Sequence, residues 1–208
     1  MRLSLSLGAL CLALALLPCP PRSRAQESPV LATIAENAAG ILTLTSDFVQ
    51  EKHLSIFDEV LRSRGHIHFQ REDRLRWEIL DPVRTGFVLN GRGGKRWHER
   101  TGEEQTFSIE RDPIMKIVAG EFLAWVRADF EQIRKNYGIR VAAEHPTVLE
   151  LTPREEFARF VEQIHITFDP DNRYVQTVEL TAADGDTTAI RFENTRVNVP
   201  LDAELFAF

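Results

Sequence analysis

From Phe48 onward, apolar and polar residues alternate with period two over most of the chain, in runs separated by short turns and by one stretch after Asp112. Successive side chains of a strand leave opposite faces, so this alternation marks strands with one buried face. In "GHIHFQREDRLRWEIL" (65–80), Ile67 and Phe69 share one phase, and Leu75, Trp77 and Ile79 share another after a turn. "RTGFVLN" (84–90) and "GGKRWHERT" (93–101) flank Asn90-Gly91, a pair that favours a tight hairpin. "QTFSIE" (105–110), "DFEQIRKNYG" (129–138), "IRVAAEH" (139–145) and "TVLELTP" (147–153) continue the series. It ends with "VEQIHITFD" (161–169), "YVQTVELTA" (174–182) and "TTAIRFENT" (187–195), which carry Ile164, Ile166 and Phe168, then Ile190 and Phe192. About ten or eleven strands joined by short turns make an antiparallel meander, and a sheet that wide has to curl.

Two segments read as helices instead. Ser28-Pro29 offers a hydroxyl cap and a proline at the first helical position, and Leu31, Ile34, Ala38, Ile41 and Leu42 follow on one face. Asp112-Pro113 repeats that start, followed by a stripe of Ile114, Ile117, Val118, Trp125 and Val126 with Phe122 beside it. Gly120 lies inside this helix at a cost of about 1 kcal/mol relative to alanine. The fold class is therefore mainly β with two or three helices: an unclosed antiparallel barrel with a helical lid over an apolar cavity. The cavity is expected to be lined by Phe48, Phe69, Leu75, Trp77, Phe87, Leu89 and Trp97 from the sheet, and by Ile114, Ile117, Val118 and Trp125 from the lid. Periodicity alone fits a filled core equally well.

Residues 1–25 read as a cleavable signal peptide: Arg2, an apolar run from Leu3 to Leu17, prolines, then Ser23 and Ala25 at the small-residue positions. A single domain, 26–208, would remain and would work in the periplasm. Cys11 and Cys19, the chain's two cysteines, both fall in the signal, so no disulfide is expected. Cleavage removes Arg2, Arg22 and Arg24 and no acid. Lys plus Arg falls from 25 by 3 to 22 against 31 acidic residues, and net charge moves from −6 to −9. That balance argues against a nucleic-acid partner.

No catalytic pattern is present. The chain has no GxSxG and no HExxH, and "NGRGGKR" lacks the spacing and the final Ser or Thr of a phosphate-binding loop. His66 and His68 have no third ligand at a characteristic spacing. Neither a metal nor a cofactor is expected.

One arginine breaks the pattern. Arg71 falls in phase with Ile67 and Phe69, on the apolar side, whereas Arg76 has the outward phase and is expected to be an ordinary surface residue. Around Arg71 runs an ordered set of signals: Phe48-x-Gln50, Gly65, Arg71, Trp77, Asp81-Pro82, the "VLNGRGGKRWH" hairpin, and Leu201-Asp202 with Leu205-Phe206-x-Phe208. In order and spacing this set resembles the LolA-type periplasmic carriers of outer-membrane lipoproteins, in a divergent branch with Glu72 where the family has proline. The resemblance implies an unclosed barrel under a helical lid. It implies an acylated lipoprotein or lipid cargo, an inner-membrane exporter (an ATP-driven lipoprotein release complex or a lipid exporter), an outer-membrane acceptor, and a monomer. It also implies that Arg71 reaches backbone carbonyls of the lid and holds it shut. A lipid-sensing module of the same fold, which keeps its ligand, is the alternative.

Overall fold

The computed structural model describes residues 28–56 and 59–208. The expected signal peptide lies outside the described residues. Helix α1 (Pro29–Ala39) comes first, then six strands: β1 (Thr43–His53), β2 (Val60–Gln70), β3 (Arg74–Asp81), β4 (Thr85–Asn90), β5 (Gly93–His98) and β6 (Glu103–Ser108). Helices α2 (Pro113–Val126) and α3 (Phe130–Asn136) lead to β7 (Tyr137–Glu144), β8 (Thr147–Pro153), β9 (Val161–Phe168), β10 (Val175–Ala182) and β11 (Thr187–Val197). Short 3₁₀ turns occupy Glu155–Arg159 and Ala203–Phe206.

All eleven strands form one sheet in the order β6-β5-β4-β3-β2-β1-β11-β10-β9-β8-β7. Every neighbouring pair is antiparallel, and β11 returns to pair with β1. β6 and β7, the two edges, are joined through α2 and α3, so the connection that spans the gap is helical. This is the expected unclosed sheet covered by helices.

Register sets apolar side chains opposite one another at several places on the concave face. Phe87 pairs with Trp77, Phe48 with Phe192, Ile190 with Val178, Val178 with Ile166, and Ile166 with Leu149. Side chains on this face divide into two clusters. One gathers α1, α3 and β7–β10 around Leu31, Ile34, Phe130, Tyr137, Leu151 and Ile164. The other gathers β1–β6 and α2 around Phe48, Phe69, Leu75, Trp77, Phe87 and Leu89. Ile190 and Phe192 of β11 pack against both.

Several expectations need correcting. The segment 129–138 is mostly helix α3, not a strand. Asp129 caps it by accepting from the Gln132 amide at 2.9 Å, and Phe130 and Ile133 are buried. A carboxylate followed three residues later by Gln is a helix-start signature, and it overrides a short apolar alternation. The first helix stops at Ala39, before Ile41 and Leu42; Ile41 is buried beyond its end, while Leu42 is exposed. Ser28 precedes α1 but makes no side-chain cap bond, whereas Asp112 does cap α2, accepting from the Met115 amide at 3.0 Å.

Candidate functional site

The order of signals around Arg71 has a packing cause. Phe48 stacks on Trp77 with ring centroids 3.9 Å apart and planes 15° from parallel. Phe48 pairs across the strands with Gly65, where a Cβ would lie 2.5 Å from the Phe48 ring and 2.0 Å from the Glu78 carbonyl oxygen. Gly65 therefore provides the slot that lets the aromatic pair form. Phe122 of α2 lies over the pair, 4.9 Å from Trp77 and 5.9 Å from Phe87. Phe69, Leu75 and Leu89, the next row on the same face, are completely buried. The sheet residues expected to line a cavity are thus largely brought together, but as a filled aromatic core; Trp77 and Phe87 also border a groove beside α2.

Trp97 is not part of that core, although its edge borders the same groove as Trp77 and Phe87. It pairs with Gly86, in register with Glu78, and so lies on the convex face. There the Arg76 guanidinium stacks 4.8 Å from its ring. β5 carries no other large apolar residue, so its own sequence cannot fix its phase; the register with β4 does. Arg76 is correspondingly no free surface residue. It meets the buried Glu78 carboxylate at 2.8 Å, Arg84 reaches the same carboxylate at 3.2 Å, and Arg76 Nη1 donates to the Leu205 carbonyl.

Helix α2 is rotated from the expected phase. Met115, Ala119 and Ala124 are its buried residues, while Ile114 and Ile117 are 67% and 53% exposed. Lys116 and Glu121 are its only charged residues, so its sequence supports more than one apolar stripe, and the stripe that is buried carries the small residues Ala119 and Ala124. Ile114 therefore points away from the interior, and Ile117, Val118 and Trp125 border the hollow beside it.

That hollow, of about 360 Å³, lies between α2 and the second half of the sheet. Ile117, Val118, Glu121, Phe122 and Trp125 form one wall, Ile164 of β9 and Leu180 of β10 another, with Tyr137 and Val161 beside them. Phe157 and Phe160 close one side; Phe160 is 72% exposed and, with Ile117, makes an apolar mouth. A larger and more polar groove of about 790 Å³ runs along the other flank of α2, between Trp77, Ile79 and Phe87 and the rim of β5 and β6. Val118 borders both hollows, so α2 is the partition between them.

Three charged contacts hold the helices down. Arg71 donates from Nε to the Ile41 carbonyl at 3.0 Å and from Nη2 to the Ala38 carbonyl at 2.8 Å. It thereby caps the C-terminal end of α1, where a cation is favoured and free carbonyls need donors. The carbonyls it reaches are those of Ala38 in the last turn of α1 and of Ile41 just beyond that helix, not those of α2. Helix α2 is tied by ion pairs at its two ends: Asp112 to Arg96 of β5 at 3.3 Å, and Arg127 to Asp73 in the β2–β3 turn at 2.6 Å. No sequence signal marked those pairs, because they join residues distant in the chain.

Inside the 360 Å³ hollow, Glu121 is the one carboxylate among the described lining residues. It accepts from Asn136 Nδ2 at 2.8 Å and from the Tyr137 hydroxyl, yet burial still holds its pKa above the usual carboxylate range. Burial and the same carboxylate push the Tyr137 phenol well above its ordinary value. On the convex face, His66 Nδ1 meets Asp47 at 2.7 Å and His68 Nδ1 lies 3.0 Å from the Thr45 hydroxyl.

Residues 39–208 match the family model described as outer membrane lipoprotein carrier protein LolA. The chain belongs to the LolA family. An outer-membrane lipoprotein carrier protein of Pseudoalteromonas translucida is 26% identical over 181 residues, covering 84% of this chain and 80% of the relative. One from Chromohalobacter salexigens is 23% identical over 179 residues, covering 84% and 81%. Among solved structures, an uncharacterised conserved protein of Thermus thermophilus shares the fold at a TM-score of 0.54 and 8% identity, covering 86% of this chain and 91% of that one. MucB does so at a TM-score of 0.52 and 18% identity, covering 86% and 61%. Gly65, the Phe48–Trp77 stack and the Arg71 cap are thus structural parts of this LolA fold, and the hollows beside α2 are the space it leaves open.

Proposed function

We propose that this protein is a non-catalytic periplasmic carrier that shelters the acyl chains of a lipoprotein or lipid beside α2 and passes them from an inner-membrane exporter to an outer-membrane acceptor. The observation that carries this reading is the hollow under α2. It is apolar on nearly every side, its mouth is formed by exposed Phe160 and Ile117, and its cover is fastened at both ends by partly exposed ion pairs. Burial of acyl methylenes there is favourable by about 0.8 kcal/mol each. The cover can yield because exposed ion pairs contribute only about 0–1 kcal/mol apiece. Swinging α2 outward would join the two hollows that Val118 divides, giving a longer trough for chains. Arg71 keeps α1 in place at the end of β2, and with it the closed form.

The test is mass spectrometry of lipids and acylated proteins that co-purify with the protein from a periplasmic extract, paired with titration of a fluorescent acyl probe. Acylated cargo with saturable probe binding is expected. Absence of both would refute the carrier reading. Cargo that stays bound in the presence of outer membranes would favour the lipid-sensing alternative.

A further inference from the structure

Three exposed apolar side chains gather at one end of the sheet. Ile56, in the turn between β1 and β2, is 79% exposed, and Leu61 at the start of β2 is exposed too. Phe160, between β8 and β9, is the third. Hydrogen bonds tie their segments together. The Ala183 amide, in the β10–β11 turn, donates to the Phe160 carbonyl at 3.1 Å. Asp186 of the same turn accepts from the Ser55 amide at 2.9 Å and from the Ser55 hydroxyl, and it pairs with Lys52 at 3.6 Å. Register leads from this end into the hollow under α2. Leu61 pairs with Lys52, Lys52 with Thr188, Thr188 with Leu180, and Leu180 with Ile164. Leu180 and Ile164 are walls of that hollow, and Phe160 stands at its mouth.

We propose that this end of the sheet is an edge that docks on a lipid bilayer of neutral head groups, with Ile56, Leu61 and Phe160 entering the apolar boundary. The charge balance of the edge selects that surface. Among the described residues of 51–64 and 182–187, Lys52, Arg62 and Arg64 stand against Glu51, Glu59, Asp184 and Asp186. Lys52 is engaged by Asp186, and Arg62 by Glu51 at 3.0 Å. No excess of positive charge draws the edge to anionic lipids, so apolar contact supplies the attraction. Shape selects a bilayer over a protein. The three side chains project from separate segments and do not form one continuous packed patch of the kind a protein interface needs, whereas a fluid lipid boundary closes around separate points. The docking edge does not depend on the carrier reading, but its purpose does: it sets the mouth of the hollow against the surface that acyl chains leave or enter.

The test is co-sedimentation with phosphatidylcholine vesicles, comparing the wild type with Ile56→Asp, Leu61→Asp and Leu42→Asp, with thermal melts confirming that the variants fold. Leu42 is the control: it is also exposed, but it precedes β1 and lies at the opposite end of the sheet, about 35 Å away by strand length. The wild type should partition onto the vesicles, without loss when salt is raised and without more than about a twofold gain when phosphatidylglycerol is added. Ile56→Asp and Leu61→Asp should each lower the partition about tenfold or more, since each replaces a buried aliphatic side chain with a charge. Leu42→Asp should stay within about twofold of the wild type. Absence of vesicle binding, equal losses for Leu42→Asp and Ile56→Asp, or binding that needs anionic lipid would overturn the docking edge. Binding to native membranes but not to protein-free vesicles would assign the edge to a protein partner and overturn it as well. Acyl-probe titration without vesicles separates this inference from the carrier reading, and Ile56→Asp should bind the probe as the wild type does. Normal probe binding by a protein that ignores vesicles would overturn the docking edge alone. Vesicle binding without probe binding would overturn the carrier reading alone.

Discussion

The two halves of the concave face are built from the same strand grammar and end differently. Across β1–β6, aromatic side chains meet face on: Phe48 on Trp77, with Phe122 of α2 pressed over them, above Phe69, Leu75 and Leu89. Across β7–β10 the floor is aliphatic, made of Leu149, Leu151, Ile164 and Ile166, and α2 stands away from part of it, leaving the 360 Å³ hollow. The stacked Phe48 and Trp77 rings fill their half, whereas in the other half space remains where the covering helix stands off the sheet, walled in part by the unstacked rings of Trp125 and Phe160. The helix cannot follow both halves, since it reaches from the β6 edge toward the β7 edge. One half is therefore a foundation and the other a container.

Substitutions should separate them. Trp77→Ala removes the centre of the filled half and should cost about 3–5 kcal/mol in chemical denaturation. Trp125→Ala, which widens space that is already open, should cost less than half as much; equal costs would show that the second half is packed as tightly as the first. Gly65→Ala drives a methyl group into the Phe48 slot and the Glu78 carbonyl, and should cost about 2–3 kcal/mol, because one of the two contacts is backbone and cannot swing aside.

Arg71→Leu should cost about 1–3 kcal/mol, the range for hydrogen bonds to charged groups, and should raise acyl-probe affinity about tenfold by loosening the closed form. Asp73→Asn should act on α2 instead. It breaks the pair with Arg127, costs about 0–1 kcal/mol, and should raise amide exchange in α2 without changing α1. If Asp73→Asn loosened α1 and Arg71→Leu loosened α2, the assignment of the two fasteners would be reversed.

The smallest expected effect is on pH dependence. Folding raises the Glu121 pKa above its ordinary 4.5, so the folded state holds this proton more tightly than the unfolded chain. Stability from this group is full below pH 4.5 and declines as pH rises through the folded pKa. Glu121→Gln should flatten that segment of the stability profile. An unchanged profile would mean that Glu121 is solvated.

Much of this architecture was legible in the sequence, because alternation and turn chemistry are local. The β2–β3 and β4–β5 hairpins, the inward Ile164, Ile166 and Phe168, and the Asp112 cap all follow from residues within a few positions of one another. What the sequence hid depends on distant partners. β5 has one large apolar residue, and only its register with Gly86 shows that Trp97 faces outward. Helix α2 is apolar nearly all round, so its rotation depends on the sheet beneath it and not on its own period. Arg71 was recognisable as misplaced, but the carbonyls that account for it lie at and just beyond the end of α1, about thirty residues earlier in the chain. The container was hidden for the same reason: Tyr137, Phe157, Phe160 and Leu180 belong to four separate segments, and none stands out alone. Glu121, a lone acid on an apolar helix, was the signal that could have pointed to it.

The central claim is that acyl chains enter the container and leave the foundation intact. Photolabelling tests this most directly, using a glycerol monoester whose acyl chain carries a diazirine, followed by peptide mass spectrometry. Labels on Ile117, Trp125, Phe157, Phe160 or Leu180 are predicted. Labels confined to Phe69, Leu75 and Leu89 would contradict the account, because they would show that the aromatic half opens to take the chain.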